Sequence, residues 1–401
     1  MCAPASLNEP VVDSSLMMFV IASIATTGRH VPPVYRAPRS PAPIKVDGDL
    51  DKSEWQSVPW TSAFMDIRGV GDAPPGSHPP PSCETKVKMM WDDEYLYIGA
   101  LLHSSLPVIS SFTERNSPIF HRDSDFEVFI DADASCHAYK ELELNAANVV
   151  WNLMLTRPYA DGGEEYSGRI ATRGGAKFYE VDAQRTATRV LSGKLNDPDS
   201  GPCSWSVEIA LAHSDTTRQL AHAAAPVVGR RWRINFSRVE KGGEINWTWA
   251  PQVTWDPTSR RYAGQVNMHL PDAWGYIEFA PAACDVSSTS CGSLKLGESK
   301  QAAEAVALEP VEIARAAALN VYYAQHAYRD AHTCFTASFD DLRALDLVDE
   351  RIVGPCNICI DTNNNADQSP DFVAVATHRP TGISVSVTNT RLVSSTSQFQ
   401  L

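Results

Sequence analysis

The stretch Phe126-Glu127-Val128-Phe129-Ile130-Asp131, followed by Glu141-Leu142-Glu143-Leu144-Asn145-Ala146, decides how this chain reads. Side chains alternate across a β-strand, so Phe126, Val128 and Ile130 share one side of the pleat and Glu127, Phe129 and Asp131 the other. In the second strand Leu142 and Leu144 point to a core, whereas Glu141, Glu143 and Asn145 form a polar row. Two such strands in tandem predict an antiparallel sheet with one wet face that a ligand can meet.

The pattern extends outward. Short alternating segments recur between turn signals at Thr85–Trp91, Tyr95–Leu102, Val149–Leu155, Ser204–Leu211, Trp232–Val239 and Trp274–Phe279. Such spacing predicts a mainly β fold, an antiparallel β-sandwich. Residues 1–43 read as a leader, with prolines at 32, 33, 38, 41 and 43. The sandwich is expected over 44–281, a small polar linker over 282–301, and a small α+β unit over 302–401, its helix signalled by the alanine-rich run from Ala302 to Asp330.

Composition narrows the function classes. A hydrophobic share of 43% supports a real core, and 27 prolines, 22 glycines and 10 tryptophans favour short strands over long helices. A net charge of -14 without a basic patch argues against nucleic acid as a partner. The apolar run Leu16 to Thr26 is too short for a membrane span and has signal-peptide length, but Glu9 and Asp13 precede it with no lysine or arginine. A secreted or cell-surface location is the expectation. Nine cysteines are scattered; Cys356 and Cys359 form a CxxC without a second pair at zinc spacing, leaving a local disulfide or two unpaired thiols. Cys284 and Cys291 could also pair in an oxidising compartment.

Several motifs now line up in order. Ile44-Lys45-Val46-Asp47-Gly48-Asp49-Leu50-Asp51 to Glu54-Trp55, Trp91-Asp92-Asp93-Glu94-Tyr95-Leu96-Tyr97, Asp125 to Asp131, Tyr139 to Asn145 and Trp205 to Ala210 come first. Arg233 to Arg238, Asn246 to Pro251 and His269 to Gly275 complete the series. Across about Ile44 to Phe279 the chain resembles the carbohydrate-binding module family 9-like proteins. The resemblance implies a β-sandwich that binds oligo- or polysaccharide without cleaving it, often beside glycoside hydrolases in polysaccharide breakdown.

A sugar ring has an apolar face and a rim of hydroxyls, so a site for it wants an aromatic platform beside carboxylates and amides. Trp247, Trp249 and Trp255 cluster in a proline-punctuated region and are the platform candidates, against the alternative that they cap the sandwich. Glu127, Glu143, Asn145, Arg233 and Asn235 are the polar candidates, against a merely solvated face. Asp131 and Asp133 end a strand with alternate hard oxygens, which suits Ca2+ or simple turn chemistry. No GxSxG, HExxH, phosphate loop or dinucleotide fingerprint is present. Two alternatives keep the same sandwich: a glycoside hydrolase using Glu127 and Glu143, and a haem-binding redox module with His269 paired to Met268 or Met154.

Overall fold

The computed structural model describes residues 31–220, 225–282, 309–363 and 371–395. The Leu16 to Thr26 run, the linker beyond residue 282, Cys284, Cys291 and the other residues between these ranges lie outside that description. In chain order the first strands are β1 (Val34–Ala37), β2 (Met65–Asp66), β3 (Thr85–Trp91), β4 (Tyr95–Ser104), β5 (Asp125–Asp131), β6 (Tyr139–Asn145), β7 (Val150–Leu155) and β8 (Glu165–Ser167). They continue with β9 (Arg185–Ser192), β10 (Cys203–Ala212), β11 (Arg231–Glu240), β12 (Ile245–Thr248), β13 (Val253–Asp256), β14 (Arg261–Gly264) and β15 (Gly275–Phe279).

Two sheets form the sandwich. One runs β1-β15-β11-β5-β6-β7-β8, with β12 and β2 continuing from β11; the other runs β3-β4-β10-β9. The pairing is antiparallel except between β1 and β15. Phe126, Val128, Ile130, Leu142 and Leu144 meet Trp205, Val207 and Ile209 of the facing sheet in one apolar core. This is the aliphatic side that the period-2 reading assigns inward. Trp55, Trp205, Trp232 and Trp274 are fully buried, and Trp91 nearly so.

Two expectations need correction here. Val34–Ala37 is no loose leader: it pairs along β15 and buries Tyr35 and Ala37 in the core. The second face of the large sheet is not wet, since every residue of β5 and β6 is buried. The reason is that this face also carries Phe129, Tyr139, Trp151, Leu153 and Leu155, which collect Ile67, Ile119, Met268 and Trp274 into a second apolar cluster. A face with that much apolar surface is driven to acquire a cover. Gly275 opens β15 on the side it shares with Ile277 and Phe279, toward the sandwich core: a Cβ there would lie 2.6 Å from the Trp249 ring and 2.9 Å from the Pro33 carbonyl oxygen.

Behind the same sheet stands the tail: a helix, Pro310–His332, on a sheet ordered β16 (Cys356–Asn363), β17 (Asp371–His378), β18 (Ser384–Thr388) and β19 (Val393–Ser395). Proline at the first helical position and Thr333 in the left-handed conformation after the last mark its ends. The tail docks through buried ion pairs from Arg391 to Asp161 (3.1 Å) and Asp272 (2.9 Å), and through the Trp255 indole N–H, which donates to the Leu347 carbonyl. Cys356 is buried and Cys359 exposed, as residues three apart on a strand must be, and both thiols are free. Among the described residues no helix is long and apolar enough to cross a membrane.

Candidate functional site

The covered face of β5 and β6 concentrates acid. Glu127 and Glu143 stand directly opposite each other in the ladder, with Asp125 before Glu127 and Glu141 before Glu143 on the same side of the pleat. All four are buried. Ligand oxygens of Asp125, Glu127 and Glu143 lie within 4.8 Å of one another. Burial, with Ser237 and Asp125 beside it pulling the other way, lifts the Glu127 carboxyl to about 7. Burial and then the Glu127 charge raise Asp125, Glu141 and Glu143 well above the usual carboxylate range. Asp125 Oδ2, Glu141 Oε2 and Glu143 Oε2 accept no hydrogen bond.

Aromatic side chains border this acid. Trp151 faces Glu143 from β7, its indole N–H without an acceptor. Phe120 stacks near it, ring centroids 6.5 Å apart at 11°, and the Arg169 guanidinium lies 4.8 Å from the indole centroid, paired with Glu165. Tyr159 packs edge-on against His269 at 4.7 Å and is 47% exposed. His269 Nδ1 is 3.0 Å from the Tyr139 hydroxyl and 4.0 Å from Glu141 Oε2. Burial lowers the His269 imidazole to about 4, so the approach to Glu141 is between a neutral ring and an acid. Orphan acceptors and an orphan donor therefore sit under an aromatic rim whose outermost member, Tyr159, reaches solvent. That is the mixed polar and apolar set a saccharide needs.

The structure gathers only part of the expected site. Glu127 and Glu143 come together. The three indoles do not share a platform: Trp247 lies under the Arg238 guanidinium with its N–H on the Ser77 carbonyl, Trp249 packs on Phe236, and Trp255 pairs with Tyr262. All three are buried, because each spans a junction between packed segments, and none offers the open ring face that was expected. Asn145 serves its own turn, accepting from Ala147 and Val149 and donating to Asp123. Asn235 brackets the corner after β12, donating to the Ala250 carbonyl and accepting from the Ala250 N–H. Arg233 stacks over Tyr276 at 3.9 Å and donates to the Trp274 carbonyl. With Trp255 it lines a cavity of about 60 Å³ against the Pro310–His332 helix, away from the carboxylates.

Asp131 and Asp133 shape a turn. Asp131 Oδ2 accepts from Cys136 N–H at 2.7 Å and Asp133 Oδ1 from Ser135 N–H at 3.1 Å. Burial, then the Asp133 charge, pushes Asp131 up to about 8. Met154 belongs to the sandwich core and His269 to the opposite side of the sheet, against Phe129, so these two cannot share one axial position pair. The sequence reading singles out neither Trp151 nor Tyr159, and it gives Glu141 only as part of the polar row and His269 only as a haem ligand in the redox alternative. A signal for them existed: Val150-Trp151-Asn152-Leu153-Met154-Leu155 is apolar on both sides, which marks a strand covered on both faces.

Comparisons with known proteins agree with the sandwich reading. The family model for the carbohydrate family 9 binding domain-like proteins matches residues 46–260. A protein from Bacteroides uniformis described as carbohydrate-binding aligns at 13% identity and a TM-score of 0.44, over 62% of this chain and 100% of that one. A family 9 carbohydrate-binding module from Caldicellulosiruptor kristjanssonii, solved with cellotriose, aligns at 18% identity and a TM-score of 0.35, over 65% of this chain and 100% of that one. The same organism's module with glucose gives 17% identity and a TM-score of 0.36, over 64% of this chain and 100% of that one. A search of curated proteins finds no match.

Proposed function

Because this chain belongs to the carbohydrate family 9 binding domain-like family, we propose that it binds an oligo- or polysaccharide without cleaving it. The observation that carries the location is the set of unpaired polar atoms on the β6–β7 face: Glu141 Oε2, Glu143 Oε2 and the Trp151 indole N–H. Buried polar groups left without partners cost about 1–3 kcal/mol each, and sugar hydroxyls, which both donate and accept, would relieve that cost. Tyr159 and Phe120 form the entry. They must turn outward for a ring to reach the carboxylates, and their faces then pack against its C–H side.

Titration calorimetry against a panel of oligosaccharides tests this, beginning with glucose and cellotriose, the ligands of the neighbours. Binding in the millimolar range or tighter is expected, weakened at least fivefold by Tyr159→Ala and by Glu141→Gln. A wild-type protein that binds no sugar at such concentrations, or binding indifferent to both substitutions, would refute the reading. Incubation with the bound sugar should release no reducing ends. A secreted or surface location, beside polysaccharide and the enzymes that degrade it, fits the proposal; protein confined to the cytosol on fractionation of the producing cells would count against it.

A further inference from the structure

We propose that the C-terminal unit completes the saccharide site, with Arg391 as a positioning residue that clamps the two turns on which the entry is built. The inference rests on the saccharide reading above and adds to it a part of the chain beyond the family match, which ends at residue 260. Tyr159 and Asp161 share one short turn, and His269 stands just ahead of another, Pro271–Ala273. Tyr159 meets His269 edge-on, so the two turns flank the entry. Arg391 grips both turns at once. Its guanidinium pairs with Asp161 at 3.1 Å and with Asp272 at 2.9 Å. Two adjacent tyrosines of the Pro310–His332 helix repeat the pattern: the Tyr322 hydroxyl donates to Asp161, and the Tyr323 hydroxyl donates to Asp272 at 2.7 Å.

The arrangement is held at a cost. Arg391 occupies the left-handed backbone region, at φ 63°, in the turn between β18 and β19. That conformation strains a residue with a Cβ and persists only where the surroundings impose it. The same hairpin is seated on the sandwich at two more points: His137 Nε2 lies 2.7 Å from the Thr390 carbonyl oxygen, and Val393 N–H donates to the Ser135 carbonyl at 3.0 Å. The Tyr159–Asp161 turn, by contrast, has no fully buried residue. It is tied inward through the Asp161 carboxylate, whose side chain is 1% exposed. A turn with so little apolar contact opens readily unless something fastens it. The clamp fixes the backbone about which the Tyr159 ring swings, so packing that ring on a sugar forfeits less freedom than it would from a loose turn.

Calorimetry on the full chain tests the clamp, using the sugar of the panel that the wild type binds most tightly, cellotriose first. Arg391→Lys keeps the charge but loses the fork that reaches two carboxylates. Tyr322→Phe is milder, removing one hydroxyl and leaving the ring. Affinity should fall at least threefold in each folded variant. Damage to stability alone would lower the number of binding-competent molecules and leave their affinity unchanged. A cycle with Tyr159→Ala makes the decisive comparison: because the Asp161 side of the clamp acts through Tyr159, adding Tyr322→Phe to Tyr159→Ala should lower affinity by less than a further twofold. Wild-type affinity in Arg391→Lys and Tyr322→Phe, or a Tyr322→Phe loss that persists in full beside Tyr159→Ala, would overturn the clamp and leave the saccharide reading standing. A wild type that binds no sugar removes that reading and the clamp's role with it.

Discussion

Replacing Glu127 by glutamine isolates the electrostatic cost of the buried carboxylate face. Burial raises this carboxyl from its ordinary 4.5 to about 7, so the folded chain holds a proton that the unfolded chain has already released. Stability from that proton is complete below about pH 4.5 and is lost as the pH climbs through about 7. Glutamine mimics the protonated acid and does not titrate. Between about pH 5 and about pH 8 the wild type should therefore lose about 2 kcal/mol relative to Glu127→Gln, equivalent to a melting temperature gap that widens by ~4–8 °C for a sandwich of this size. The difference between the two proteins cancels His269 and Lys140, which burial lowers to about 4 and about 8, but not Asp125, Glu141 and Glu143, whose carboxyls burial raises and the Glu127 charge raises further in the wild type alone. Denaturant unfolding in EDTA at several pH values supplies the measurement. Parallel pH profiles, or a wild type that gains on the variant as pH rises, would refute the reasoning.

Two further outcomes follow from particular contacts. Arg391→Ala should cost about 3–5 kcal/mol by leaving Asp161 and Asp272 buried without their cation, read by denaturant unfolding and by protease sensitivity of the tail. Gly275→Ala should destabilise by about 1–3 kcal/mol, because the new methyl meets the Trp249 ring and the Pro33 backbone rather than a yielding side chain; a melting temperature equal to wild type would show that β1 gives way freely.

Period-2 alternation made the inner face of the sandwich legible, because burial there is decided by strand-local chemistry. Thr85–Trp91 ends where the sequence pattern ends, and Phe126, Val128 and Ile130 point where the pattern sends them. Strands without an apolar stripe escaped the same reading: Arg185–Ser192 is an edge strand with mostly exposed side chains, so nothing in its composition separates it from a loop. The outer face failed for a different reason. Glu127, Glu141 and Glu143 look solvated when their strands are read alone, and only β7 beside them, apolar on both sides, reveals that the sheet has a cover. That cover is assembled from Ile67, Ile119, Met268 and Trp274, residues far apart in the chain, and no local window contains it. The consequence is chemical as well as architectural. A carboxylate row under water needs no partner, whereas the same row under indole, phenol and aliphatic groups must take protons, an ion or a hydroxyl-bearing ligand to be stable. Burial thus turns an uninformative acidic stripe into the part of this molecule with unmet bonding capacity, and it shifts attention from the three tryptophans after β11 to the Trp151 and Tyr159 side of the sheet.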